Sequence, residues 1–214
     1  MSVPRDPPIG EPPIRLAVCV SGGGTTLQNL LDRIADGRLV AEVVQVVASR
    51  PGIGAIERAE RAGVATTVVE RAGKSLAEFS REVFAAIRAA RADLVILGGF
   101  LHLLAIPEEY RLRVLNIHPS LIPSFCGKGY HGAAVHRAVL ATGVKLSGCT
   151  VHFADETYDT GPIVVQRAVP VLDEDTPETL AARVFEAECE ALPEAIALYA
   201  AGRLRVEGRR VRRI

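Results

Sequence analysis

The sequence predicts an α/β protein, a mostly parallel, twisted sheet with helices on both faces, built as one domain. Two observations predict it. From Ile14 onward, short apolar runs rich in Val and Ile alternate with segments of helical periodicity that end at glycine, the pattern of repeated strand–helix–strand units. A chain of 214 residues with 49% hydrophobic content is long enough and apolar enough for one good core. Neither an internal repeat nor a linker divides it. The domain is therefore expected over 14–214, after an extension over 1–13 that holds five prolines, lacks an apolar signal-like stretch and is expected to be disordered.

Strands are expected over 15–21, 41–49, 66–69, 94–98, 113–117, 147–153 and 163–170. The first helix runs over 26–36 and stops at Gly37, and the second over 53–62 and stops at Gly63. Ser75 and Glu78 have the spacing of a capping box, ahead of a run that puts Phe79, Val83 and Ile87 on one helical face. A fourth helix over 133–141 ends before Gly143. The last, long helix opens with Thr176 as cap and Pro177 in its first turn, and Pro193 is expected to kink or split it.

Charges balance at 25 against 25, so no global field points to nucleic acid or membrane. The local exception, six arginines over 203–213, reads as a solvated surface strand or hairpin. The four cysteines form no CxxC pair and no metal-like spacing with histidine. Cys19 and Cys149 lie in apolar runs and read as packed thiols, which fits a reducing, cytoplasmic setting. No apolar run is long enough to cross a bilayer.

Asn116-Ile117-His118-Pro119-Ser120 is the most informative stretch. Side chains alternate along a strand, so Asn116 and His118 project to one side, and Pro119 ends the ladder just beyond them. This joins a neutral hydrogen-bond donor to the side chain best suited to move protons near neutral pH, at a strand's carboxyl end, where open α/β sheets bind ligands. A polar strand end facing water is the plain alternative. Ser21-Gly22-Gly23-Gly24-Thr25-Thr26 follows the first strand and opens a helix, which suits a phosphate; a simple tight turn would use the same glycines. A dinucleotide fingerprint would want a third glycine where Leu27 stands and an acid where Ser49-Arg50 stands, although Ser-Arg could suit a 2′-phosphate. The nucleotide-triphosphate loop lacks its Lys-Ser/Thr pair. In the loop from Asp155 to Pro162, a carboxylate near an imidazole would favour the imidazolium and orient the ring. His102, His131 and His136 show no partner by spacing, and His152 reads as a core residue or a site wall.

Four blocks together resemble the folate-dependent formyltransferases: 21–28, 97–104, Asn116 to Pro123, and Gly148 to Pro162. The likeness covers about 16–202 and is nearest to the branch that serves purine synthesis. It implies a single Rossmann-like formyltransferase domain that moves the formyl group of 10-formyltetrahydrofolate to the amine of 5′-phosphoribosylglycinamide. Carried over by position, Asn116, His118 and Asp159 form the catalytic set, with His118 the proton donor and Asp159 raising its pKa. Gly24, Thr25 and Thr26 hold the substrate phosphate, and Phe185, Glu186, Ala187 and Glu188 contact the ribotide. Leu101, His102, Leu103 and Leu104, with Asn116 and Asp155, Glu156, Thr157, Tyr158 and Asp159, line the folate site.

The resemblance further implies small-molecule partners, no metal, no nucleic acid or membrane, and a monomer or homodimer. Departures from the family are Thr25-Thr26 where Ser-Asn is frequent, Leu76 where an arginine can contact folate, and a longer, more polar turn over 125–131. The family's tRNA-formylating branch carries a C-terminal RNA-binding domain and the deformylases an N-terminal regulatory domain. Neither is expected within this length.

Overall fold

The structure is a computed structural model and describes residues 13–214, so the expected disorder of the first residues lies outside it for 1–12. The described residues divide into two compact units, one ending at Leu115 and the other beginning at Asn116.

In the first unit, β1 (Ile14–Val20), α1 (Thr25–Ala35), β2 (Ala41–Ala48), α2 (Gly54–Arg61), β3 (Thr66–Val68), α3 (Leu76–Ala89) and β4 (Leu94–Leu97) follow in order. The strands lie β3-β2-β1-β4 and every pairing among them is parallel. Leu16, Ala17, Val18 and Cys19 have no exposed surface, because a central parallel strand is covered on both faces and must be apolar throughout. Leu27 and Leu30 of α1 and Phe79, Val83, Phe84 and Ile87 of α3 complete this core. The Ser75 side chain accepts from the Glu78 N–H and the Glu78 carboxylate accepts from the Ser75 N–H, closing the expected capping box, a device that contributes about 1 kcal/mol.

The second unit takes up the polar end of β5 (Val114–His118), then α4 (Ala133–Thr142), β6 (Leu146–Phe153), β7 (Ile163–Pro170), α5 (Pro177–Ala200), β8 (Leu204–Glu207) and β9 (Arg210–Arg213). Its strand order is β5-β6-β7-β9-β8. β6 and β7 are antiparallel, as are β8 and β9, so the fold is mixed on this side. The arginine-rich end is the β8–β9 hairpin, turned at Gly208 with φ 61°, and Glu207 pairs with both Arg205 and Arg212. Pro193 does not split α5. The helix runs on for 24 residues because Ala191, Leu192, Pro193, Ala195 and Ile196 are all buried, and that packing outweighs one missing backbone bond. Strand ends otherwise shift by a residue from expectation, as at Ile14 and His118.

Candidate active site

β5 delivers Asn116 and His118 to one side, as alternation requires, and both meet Asp159. The Asn116 amide donates to Oδ1 of Asp159 at 3.2 Å, and Nδ1 of His118 stands 3.5 Å from Oδ2. The His118 and Asp159 side chains are only 5% and 8% exposed, so the strand end does not face water. Asp159 reaches this position from the loop between β6 and β7. Phe153 N–H donates to the Pro162 carbonyl at 2.9 Å and closes the loop's neck, while Asp155 Oδ1 accepts from Thr157 N–H and the Thr160 hydroxyl inside it. Gly161 is required there, since a Cβ would lie 1.7 Å from the Phe153 carbonyl oxygen.

His152 joins the cluster, a residue that spacing alone did not single out. Its Nδ1 contacts the Phe153 carbonyl at 2.9 Å, and a carbonyl only accepts, so that nitrogen carries the hydrogen. Nε2 is then the acceptor for the second Asn116 amide hydrogen at 3.0 Å. The β6–β7 register shifts between Val151 and His152, and such bulges re-aim a side chain. Both Asn116 donor hydrogens are thus engaged, one by Asp159 and one by His152. A donor role toward a substrate oxygen requires one of these bonds to be exchanged.

The segment after β5 folds against the same groups. His118 Nε2 donates to the Phe125 carbonyl at 2.9 Å, and Gly127 N–H donates to Asp159 Oδ2 at 2.8 Å. Thr150 of β6 anchors the segment, donating to the Ser120 carbonyl at 2.7 Å and accepting from Ile122 N–H at 3.1 Å. Phe125 and Asp159 are two of the four non-glycine residues with positive φ among the described residues, at 51° and 57°. Backbone strain of this kind concentrates at functional sites.

Burial pushes the His118 imidazole below its usual pKa. The Asp159 carboxylate and the Phe125 carbonyl pull it back up without reversing the sign, and His152 lowers it further. This corrects the expectation of a raised value: the carboxylate acts as expected, but desolvation is larger. For Asp159 burial alone would raise the pKa, yet the neighbouring His152 and His118 rings and the Gly127 N–H together hold it below the usual carboxylate value.

Glu188, half-buried on α5, is pushed up to about 7 by burial. Burial raises the Cys149 thiol of β6 to about 12, and the Glu188 charge adds to that rise. Phe185 and Ala187 are half-buried on the same helix, and Glu186 is exposed. His136 is buried in α4 with its Nδ1 unpartnered.

The first unit holds the expected residues of the glycine loop and of the 101–104 segment. Gly24 caps α1 in the left-handed region, with Thr25 exposed and Thr26 half-buried after it. Ser21 ties this loop to the 99–101 segment, its N–H donating to the Gly99 carbonyl and its hydroxyl accepting from Leu101 N–H, both at 3.1 Å. Leu101 is exposed, Leu104 is buried, and His102 packs edge-on against Phe79 and Phe100. Leu76 opens α3, and the Arg71 guanidinium lies over the Phe79 ring, 5.8 Å from its centre. Among the described residues no group of three or more His, Cys, Asp or Glu could hold a metal ion, and no helix is long and apolar enough to cross a membrane.

Fold and site define an α/β protein with a buried imidazole–carboxylate cluster at a strand's carboxyl end. The chain belongs to the formyl transferase family, whose model matches residues 14–196. It is 43% identical over 197 residues to the trifunctional purine biosynthetic protein adenosine-3 of Drosophila melanogaster, covering 88% of this chain and 14% of that one. The match to the chloroplastic phosphoribosylglycinamide formyltransferase of Arabidopsis thaliana is 39% over 178 residues, covering 81% and 61%. Among solved structures, glycinamide ribonucleotide transformylase 1 from Symbiobacterium toebii aligns with a TM-score of 0.87 at 42% identity, covering 94% of each chain. The fold class read from the sequence therefore holds. The chain spans 14–19% of the length of the trifunctional relatives it matches.

Proposed function

We propose that this chain transfers the formyl group of 10-formyltetrahydrofolate to the primary amine of 5′-phosphoribosylglycinamide, giving the N-formyl product and tetrahydrofolate in purine biosynthesis. The observation that carries the reading is the buried Asp159 carboxylate, bonded by Asn116 and facing His118, at the end of β5. Residues 14–214 act as the formyltransferase domain in this reading, which the family match over 14–196 supports.

The neutral amine attacks the formyl carbon, an oxyanion develops, the attacking nitrogen gives up one proton, and the folate nitrogen takes one as it leaves, so the protons balance. Asn116 and protonated His118 become donors for the oxyanion once each exchanges a bond it makes to Asp159, His152 or Phe125, and donors of this kind are worth roughly 3–4 kcal/mol each in acyl transfer. A lowered pKa makes the His118 imidazolium a stronger acid, suited to protonating the leaving nitrogen, and the Asp159 carboxylate is the neighbour that favours that cation. His152 holds Asn116 from the far side. The glycine loop takes the phosphate, and Glu188 contacts the ribotide near the Phe185 turn of α5. The segment over 101–104 and the loop over 155–159 receive the folate, the former largely through backbone groups beside exposed Leu101. Cys19 and Cys149, buried and outside any disulfide, support a reducing, cytoplasmic setting.

The test is a spectrophotometric assay with a 10-formyl deazafolate and glycinamide ribotide. Release of the deazafolate that requires the ribotide is expected. Release without any amine would make the chain a deformylase, and ligand-induced stabilisation by NADP instead of folate would point to a nucleotide-binding module; either outcome removes the proposal.

A further inference from the structure

Arg58 of α2 is half-buried and makes two bonds to the glycine-loop region. Its Nε donates to the Gly23 carbonyl at 2.9 Å, and its Nη1 donates to Oε1 of Gln28, also at 2.9 Å. Gln28 in turn donates to Asp32 at 2.8 Å, which fixes the amide's orientation. At the start of α2, Ala55 N–H donates to the Gly22 carbonyl at 3.2 Å. A peptide unit is planar and trans, so anchoring a carbonyl aims the next residue's N–H the opposite way. The N–H groups of Gly23 and Gly24 are therefore turned away from α2. The Gly24 carbonyl accepts from Gln28 N–H at 2.9 Å, so Thr25 N–H points off the amino end of α1. Loop and helix are in direct contact: a Cβ on Gly24 would lie 2.7 Å from Ala55 Cβ and 3.4 Å from Arg58 Cδ.

We propose that Arg58 is a positioning residue for the phosphate end of the amine substrate. It locks the Gly23 peptide with a charge-assisted bond, so that the three N–H groups stay presented. It also stands behind the loop as a cation that favours a doubly charged group over a neutral one. A lysine is a point donor and cannot bridge Gly23 and Gln28 as the guanidinium does. This inference rests on the reading that the loop holds the substrate phosphate.

Arg58→Met and Arg58→Lys are compared with the unsubstituted protein by steady-state kinetics and by thermal shift with inorganic phosphate. Arg58→Met is expected to raise the KM for glycinamide ribotide about tenfold or more while the KM for formyl-folate stays unchanged. Arg58→Lys should recover part of the loss, and phosphate should stabilise the unsubstituted protein more than Arg58→Met. An unchanged ribotide KM, or an equal rise in both KM values, overturns the proposal and leaves formyl transfer standing. Should Arg58→Met not fold, Arg58→Lys answers the same question, since it keeps the charge and loses the two-donor geometry. If the unsubstituted protein does not formylate the ribotide but its phosphate stabilisation depends on Arg58, the functional reading fails and the anion site stands. Phosphate stabilisation equal in all three proteins sinks the inference by itself.

Discussion

The glycine loop after β1 and the cluster at the end of β5 are built from different materials. Beyond Ser21 the loop is backbone: its carbonyls are anchored on Ala55, Arg58 and Gln28, and its side chains are hydrogen atoms or the exposed Thr25 and half-buried Thr26. The cluster is side chain: Asn116, His118, His152 and Asp159 engage one another with little surface in water. A backbone-built site tolerates changes of side chain so long as its conformation survives. A site built from buried side chains depends on the identity of each. The threonines where Ser-Asn is frequent are tolerable in the first region for this reason, and no comparable exchange fits the second.

Substitutions can break this contrast, and the largest effects belong to the cluster. His118→Ala should lower kcat by at least about a hundredfold, the usual size of a general acid–base effect, with the fold intact by circular dichroism. Asp159→Ala should match it, whereas Asp159→Asn should be milder. Asparagine shares the tolerance of aspartate for the left-handed backbone at φ 57° and still accepts from Asn116 or Gly127. Retention of more than about a tenth of kcat by His118→Ala would remove its assigned role.

Glycine substitutions sharpen the contrast in the other direction. Gly24→Val combines a strained φ of 75° with a 2.7 Å approach to Ala55, so it should raise the KM for the ribotide well above that for folate. Equal rises in both would mean the loop does not discriminate between substrates. Gly161→Ala instead pushes a methyl into the Phe153 carbonyl and should act on kcat, by displacing the loop that carries Asp159. A normal kcat in that variant would show the loop's neck to be dispensable.

A smaller effect concerns protons. Burial outweighs the Asp159 carboxylate at His118, so an NMR titration of the free enzyme should place that ring below the model histidine value of about 6.5. Asp159→Asn should lower it further, since the carboxylate is the group raising it. An unchanged value would leave Asp159 a purely orienting role.

The smallest expected effect is on stability against pH. His102, His118 and His136 all have lowered pKa values, with burial the first cause in each, so the unfolded chain takes up their protons first. Their contribution is present above the unfolded histidine value and lost as pH falls through the lowered native values. Glu188 runs the other way: raised from 4.5 to about 7, it binds its proton first in the native state and loses stability as pH rises through that interval. Glu188→Gln should therefore steepen the rise of Tm between pH 5 and 7, values that bracket about the same span. Parallel curves for the two proteins would contradict the raised carboxyl.

Much of this was legible in one dimension because it is local. A glycine run between a strand and a helix specifies a turn, a Ser and a Glu three apart specify a cap, and alternation put Asn116 and His118 on one side before any fold was known. Asp159 was identified by resemblance to a family, not by spacing, since its loop is one acidic surface loop among several. His152 was missed as a partner. Its role depends on β6 lying beside β5 and on a register shift at Val151, and neither is written in a local pattern. Pro193 misled because backbone chemistry argues for a break, while the burial around it, invisible in the sequence, argues for continuity.

By itself, then, the sequence determined the α/β class, the order of its elements, most of its boundaries and one half of the polar cluster, all of them set by interactions among residues a few positions apart. Only the tertiary structure decided which strands adjoin, which donors of Asn116 are already engaged and which way the His118 pKa moves. The physical reason is that these depend on desolvation and on contacts between residues 36 and 43 positions apart, which exist only once the chain has closed around them.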